Sequence, residues 1–578
     1  MKKLIHLLSI LLVLFAFTSC NEDAGNSEAD AAKKEMHAAK GSGTKPPAAP
    51  KGEKAKAADE KKAPSPAPEA AAPGGGEWTQ WGRDGSNNMM SPASGVPTDF
   101  TSGEMDGDGK VSGAKHAKWV VEMGSQAYGT TTVSGGRVFI GTNNEKPRID
   151  SVKGDHGVIM CFDEKSGELL WQFSVPKLGA GKVSDWEFLG VCSSIAIDGK
   201  YGYVITNRGE VICLDVYGMS DGNDGPFQDE AKYQNGGLEK LEGAEAATLD
   251  DKSADIVWGY DMRSDLGVFP HNITSSSVTI AGDYIFASTS NGVDWSHINI
   301  PAPYNPCLVA LDKKTGKLVA EEGSGIGERI MHCNWSSPGY SESLNGTPTV
   351  VFGAGDGFTY GYHAAEFDVE DDGGEKFGLL KELWAVDCCP KEYRFDEKGE
   401  PIKYATYPGP SEIISSPVVA NNKVYVPIGQ DPEHGEGVGC LTCIDPSKGT
   451  GEDAIVWQFK EVGRTISTPS VVDGLVYLAD YSGRIYCVDA ETGEKYWEHD
   501  TLAHIWGSTM VVDGKVLIGT EDGELLVLKA GKEKEELATI TYEAPIYATP
   551  AIANGVLYVM TQTHLYAYQL GEKVAAAK

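Results

Sequence analysis

Two cysteines stand side by side in AVDCCPKEYR, Cys388 and Cys389, and adjacent thiols carry a specific kind of chemistry. Neighbouring α-carbons lie about 3.8 Å apart, below the usual disulfide span of about 4.4 to 6.8 Å. A bridge here would therefore be strained and functional in character; the alternative is two free thiols. A second signal is positional. Eight times an apolar strand opens on small, mostly hydroxyl-bearing residues, at GTTTV (129), CSSIA (192), SSSVT (275), SSPGY (336), SSPVV (415), STPSV (467), GSTMV (507) and ATPAI (548). Three positions before those starts stand Gln126, Leu189, Asn272, Cys333, Glu412, Arg464, His504 and Pro545. Converging, the polar members Gln126, Asn272, Glu412, Arg464 and His504 could bind a small polar ligand or a cation; a wet channel mouth would be polar at the same places. Trp335 and Trp506 directly precede their strands and offer a flat stacking surface for a planar ligand, or plain channel packing. His271 and His332 fall one residue before Asn272 and Cys333, in VFPHN and MHCNW.

Such residues need a scaffold, and the chain repeats one. CVDAETGEKYW at 487–497 has a relative in CFDEKSGELLW at 161–171 and another in ALDKKTGKLVA at 310–320, where Ala320 replaces the Trp. A signature that recurs along one chain describes architecture, because stacked units need identical joints. Asp163, Asp312 and Asp489 suit bonds to turn amides, Thr315 and Thr492 sit within the turns, and Gly167, Gly316 and Gly493 accept positive φ. Trp171 and Trp497 offer large apolar faces to a neighbour. Between these signatures run paired strands with tight turns such as Asp-Gly, Gly-Gly, Asn-Gly and Asn-Asn. Eight units of four antiparallel strands predict an all-β, eight-bladed β-propeller over 77–578. The last unit supplies three strands, and AKWVVEM at 117–123 is a lone Trp-bearing strand suited to complete it, so an N-terminal strand is expected to close the ring and remove its open edge.

The ends read differently. Residues 1–20, MKKLIHLLSILLVLFAFTSC, form a basic start and a short apolar run, an export signal rather than a membrane span. FTSC resembles a bacterial lipobox, with Cys20 as the lipidated residue. Residues 21–76 are Ala, Pro, Lys, Glu and Gly with few large apolar side chains, a disordered tether. A net charge of −33 argues against nucleic acid as a partner. Cys440 and Cys443 have zinc-like spacing but no second pair, and in a strand they face opposite ways. The absence of Cys-x-x-Cys-His gives no sign of attached haem. The acidic stretches DGNDG, MDGDGK and VEDDGGE complete no EF-type loop. Insertions at 219–255 and 292–306 are expected to project as rim loops, where partner contacts concentrate.

The repeats resemble the PQQ-like β-propellers, a family that includes quinoprotein alcohol dehydrogenases and the propeller lipoprotein of the outer-membrane β-barrel assembly machinery. CVDAETGEKYW looks like their tryptophan-docking motif and WTQWGRDGSNNMMSP at 78–92 like the entry segment of exported relatives; together the likeness covers 78–570. It implies the fold, but blade docking is common to enzymes and scaffolds. One implied function is a lipid-anchored, monomeric binding or scaffold module of the cell envelope, requiring no cofactor and holding an envelope protein or polymer through its mouth and rim loops. The other is a PQQ- and Ca²⁺-dependent dehydrogenase of alcohols or sugars. For that reading the resemblance offers Asn272 and Glu412 as metal ligands. It also offers Cys388 and Cys389, on a link expected at the same mouth, against the quinone. The dehydrogenases' own cysteine pair belongs to a different part of the ring, and no Asp matches their base.

Overall fold

The computed structural model describes residues 74–372, 375–434 and 437–571. The export signal, Cys20 and residues 21–73 of the tether lie outside the described residues. Among those described, no helix is long and apolar enough to cross a membrane.

Strands dominate and gather mainly into antiparallel sheets of four. Thr132–Ser134, Arg137–Asn143, His156–Asp163 and Leu169–Pro176 pair in chain order. Sheets of the same order follow within 196–261, 418–459 and 470–500. The sheet within 510–541 gains a fifth strand, Met90–Ser91, running parallel to Met510–Val512. Three C-terminal strands within 551–569 take their fourth from Ala117–Glu122, which pairs antiparallel with His564–Gln569 and sets Trp119 opposite Ala567.

Tight turns make these sheets possible. Asp473–Gly474 and Asn421–Asn422 both hold positive φ at the two central residues, 51° and 77° in the first and 54° and 57° in the second. That backbone matches the twist of the flanking strands. One pair of units departs from separate sheets of four. The edge strands Leu318–Glu321 and Glu375–Asp387 meet in parallel at Glu321 and Leu379, fusing 279–321 and 339–387 into one eight-stranded sheet. Gly378, which has no Cβ to collide with the Val319 carbonyl, permits the approach.

Successive sheets are joined by one recurring device. In the third-to-fourth hairpin, Asp489 Oδ1 accepts from the amides of Glu491 and Thr492 at 2.9 and 3.1 Å. Asp312 does the same for Lys314 and Thr315, and Asp163 for Lys165 and Ser166. The turn ends on Gly493, Gly316 or Gly167, at φ of 73°, 68° and 72°. A Trp from the neighbouring sheet lies over that glycine and donates its indole N–H to a turn carbonyl. Trp457 reaches Ala490, Trp258 reaches Lys313 and Trp119 reaches Glu164. Trp171 and Trp497 bond in the same way to Val216 and Gly531. Apolar side chains fill the gaps between consecutive sheets, for example Phe139, Ile159 and Trp171 against Ile195, Val204 and Ile212. Cys440 and Cys443 join the clusters on opposite faces of their strand, and all ten described cysteines are free thiols.

A second device runs across the sheets. The segment 76–90 bonds in turn to the innermost strand of each unit. Backbone amides of Asn554, Val133, Ile197, Tyr340, Val419 and Val511 donate to Gly76, Trp78, Thr79, Gly85, Ser86 and Met89 carbonyls, and Ile280 and Val471 to the Gln80 and Asn88 side chains. Asn87, fully buried, donates from Nδ2 to Ser337 and Pro417 carbonyls at 3.2 and 3.0 Å. The expectation for 219–255 needs correction. This insertion does not simply project: its helix Glu230–Gly236 lays the buried Tyr233 flat on Phe173, 5.1 Å between centroids, with its hydroxyl donating to Glu210. An aromatic ring in a polar insertion found apolar surface to cover.

Candidate functional site

The loops that enter the innermost strands surround a cavity of about 400 Å³. Its floor is hydroxyl-rich, with Ser275, Ser277, Ser337, Ser415, Ser416 and Thr468, and its aromatic walls include Trp186, Trp335 and Trp506. Asn272 lines it, and so do Asp431 and Glu433. The floor hydroxyls link neighbouring units: Ser277 Oγ accepts from the Ser194 amide and Ser337 Oγ from the Ser277 amide, each at 2.9 Å. They are structural mortar as well as cavity surface.

The other positions singled out in the sequence disperse. Gln126 accepts from Tyr128 and Gln562 side chains at 3.1 and 2.7 Å. Arg464 lies over the Tyr481 ring, 4.8 Å from its centroid, and donates to the Asp431 carbonyl. His504 stacks on the same Tyr481 ring, 4.4 Å between centroids, and lines a separate hollow with Leu502 and Glu521. The expectation that Cys388 and Cys389 reach the mouth is overturned. Both are buried in the core of the wall with Trp384, Tyr393 and Ile413. Cys388 Sγ meets Thr359 Oγ1, and Cys389 Sγ accepts from the Ser411 amide. Burial raises the Cys388 thiol far above its ordinary range and Cys389 to about 11, so neither is a ready nucleophile.

Asn272 and Glu412 are held in different ways. Asn272 holds left-handed backbone, φ 56°, and exchanges backbone bonds with Val183 and Trp186. Glu412 is fully buried beside the cavity, accepting from the Cys333 amide at 3.2 Å and the Tyr404 hydroxyl at 3.0 Å. Burial pushes its carboxyl up to about 8.

What gathers around Glu412 is a cluster of histidines. His332 Nδ1 lies 3.5 Å from Glu412 Oε1 and 3.7 Å from Asp431 Oδ2. Its ring meets His271 at 4.5 Å, His297 at 5.0 Å and His434 at 5.1 Å, centroid to centroid. Trp335 closes one side at 5.0 Å and Tyr404 another at 5.5 Å. His271 and His332 are buried, while His297 is exposed at the mouth. Burial, with neighbouring imidazoles, lowers His271 and His332 to about 3, and burial lowers His434. At neutral pH these rings are uncharged and keep free lone pairs. His271 and His332 were visible from their offset before the inner strands. His297 and His434 were missed because they sit in the loops 292–306 and 432–434, outside the repeat; a histidine in each of two irregular mouth loops was the available signal.

The family model described as Outer membrane protein assembly factor BamB matches residues 119–329 and 381–575. The outer membrane protein assembly factor BamB of Burkholderia pseudomallei (strain K96243) is 27% identical over 114 residues, 19% of this chain and 29% of that protein. The chain thus matches less than a third of that relative's length. Among solved structures, BamB from Moraxella catarrhalis is similar with a TM-score of 0.47 and 12% identity, covering 80% of this chain and 100% of that one. The quinohemoprotein alcohol dehydrogenase from Comamonas testosteroni gives a TM-score of 0.43 and 15% identity, over 88% of this chain and 82% of that one. With more than half of its residues matched by the family model, this chain belongs to the PQQ-like propeller family of the outer membrane protein assembly factor BamB.

Proposed function

We propose that the chain is a closed, eight-bladed binding module of the cell envelope, held to a membrane by lipid on Cys20 and docking another envelope protein at the cavity mouth. Closure is supported by the Trp119 joint to the Glu164 carbonyl and by the segment 76–90 that bonds to every unit. The observation that carries the docking reading is the set of exposed apolar side chains on the loops flanking the cavity and the histidines. Phe188 adjoins the cavity-lining Leu189, Trp295 and Ile298 flank His297, Tyr407 follows Tyr404 and Leu502 precedes His504. Ile298 is 81% and Leu502 87% exposed, a setting in which isolated apolar chains gain little unless a partner covers them.

The quinone reading draws on Trp335 and Trp506, which offer stacking walls. The charges disagree with it. Among the described residues the cavity is lined by Asp431 and Glu433 and by no Lys or Arg, a poor match for a planar tricarboxylate. The thiols of Cys388 and Cys389 lie in the wall.

A photo-crosslinking amino acid placed at Trp295, Ile298 and Leu502 in cells tests the docking reading, with Val369 and Phe377, exposed on the antiparallel strands Phe358–Asp372 and Glu375–Asp387, as controls. Crosslinks to one envelope protein from the first set and not the second are expected. Equal yields from both sets would refute the mouth as the docking face. Replacing Cys20 with Ala should release the chain from the membrane fraction.

A further inference from the structure

We propose that His271, His297 and His332, with His434 completing the set, bind one divalent transition-metal ion at the cavity mouth. This site is independent of the docking reading. One ring nitrogen from each of His271, His297 and His332 lies within 4.8 Å of the others. An ion about 2.1 Å from each nitrogen requires the three to close in by less than about 1 Å, and His297, on an exposed loop, is free to make that movement.

The protonation pattern is already that of a ligand set. His271 Nδ1 lies 2.6 Å from the Val293 carbonyl oxygen, an atom that only accepts, so Nδ1 carries the proton and Nε2 the lone pair. His271 Nε2 is buried with no hydrogen-bond partner. So are both ring nitrogens of His332 and Nε2 of His434. A buried polar atom left unpaired is costly, and here four such atoms occur in rings that touch one another. A cation supplies the missing partner for several at once. Coordination through His332 Nε2 would leave its Nδ1–H facing the carboxyls of Glu412 and Asp431, an outer arrangement that orients the ring and strengthens it as a donor.

The donor chemistry selects the class of ion. Imidazole nitrogens without thiolates suit Zn²⁺, Cu²⁺, Ni²⁺ or Co²⁺ and not Ca²⁺ or Mg²⁺, which require oxygen. Cys333 is adjacent in sequence, but its Sγ is engaged with the Ser290 carbonyl at 3.1 Å. The second acidic group, Asp215, Asp221 and Asp224, has the Lys200 ammonium 3.5 Å from Asp215 and 3.1 Å from Asp224, and serves as a control rather than a rival.

The test uses the full chain without a polyhistidine tag, stripped with chelator and dialysed separately against ZnCl2, CuCl2 and CoCl2. Elemental analysis should find one tightly held equivalent per chain, and Co²⁺ should give a visible absorption band. His297→Ala, exposed and therefore safe for folding, should weaken binding by at least about 10- to 100-fold. His332→Gln should abolish the tight equivalent, and Asp224→Asn should leave it intact. Millimolar CaCl2 should not displace it. The proposal is overturned if no tight equivalent is found, as for a pocket that takes only water. It is also overturned if His297→Ala and His434→Ala together leave the stoichiometry and affinity unchanged, or if Ca²⁺ displaces the ion.

Discussion

Gly493→Ala probes the joint between sheets directly. A Cβ built on Gly493 would meet the Trp457 ring at 2.6 and 2.7 Å, and the residue holds φ of +73°. Two costs follow. Left-handed backbone costs an L-residue about 1 kcal/mol, and forcing a methyl into a packed contact costs roughly 1–3 kcal/mol more. Gly514 isolates the first cost: its φ is +67°, and a Cβ there meets nothing within 4 Å. Urea denaturation followed by fluorescence should therefore show Gly514→Ala less stable by about 1 kcal/mol and Gly493→Ala by about 2–4 kcal/mol. In a Trp457→Leu background the excess at Gly493 should collapse to the Gly514 value, since the ring that causes it is gone. Equal losses at the two glycines in the wild-type background would refute the joint as the origin of the repeated Thr-Gly signature. Persistence of the excess without Trp457 would do the same.

Three further outcomes follow from the structure. Glu322 is a buried carboxyl raised to about 7 by burial, accepting from the Cys307 and Ser324 amides. Its folded form holds the proton more tightly than the unfolded chain, so its contribution is full below about pH 4.5 and is lost as pH rises through 7. The penalty of Glu322→Gln should accordingly shrink by roughly 2–3 kcal/mol between pH 5 and pH 8, measured by denaturation at each pH. Asn87→Ala removes two bonds to buried carbonyls while keeping a positive-φ residue, and should cost about 2–4 kcal/mol; Asn87→Gly, which relieves the backbone, should recover about 1 kcal/mol of that. Cys388 and Cys389 should resist a thiol-specific reagent in the native chain and react on unfolding, read by mass spectrometry; rapid native labelling would return them to the mouth.

The parts of this molecule that were legible in its sequence are those fixed over short distances. Asp489, Thr492 and Gly493 form a turn whose bonds span three or four residues, so its chemistry reads directly from their order. The reach of 76–90 was not legible beyond its resemblance to an entry segment, because Asn87 bonds to Pro417, a partner 330 residues away with no pattern shared between them. The fusion of two units into an eight-stranded sheet was equally hidden. Ala320 replaced the expected Trp, but only the fold reveals that the strand edge beside it pairs with Leu379. Counting along the link from Trp384 put Cys388 and Cys389 at the mouth; their own apolarity, with Tyr393 and Ile413 beside them, drew them into the wall instead.

The same division explains where chemistry resides. Much of the repeat is committed to joints: Asp489 to turn amides, Trp457 to a neighbouring carbonyl, and Ser337 among the opening hydroxyls to the adjacent unit's amide. A residue so engaged has part of its hydrogen-bonding capacity already used inside the wall. Further polar atoms come from what interrupts the repeat, and His297 and His434 come from the loops 292–306 and 432–434. They meet His271 and His332 beside Glu412, whose carboxyl burial pushes up to about 8. In a fold whose repeated turns and docking tryptophans join neighbouring sheets, residues of the irregular mouth loops add polar atoms that the repeat does not supply.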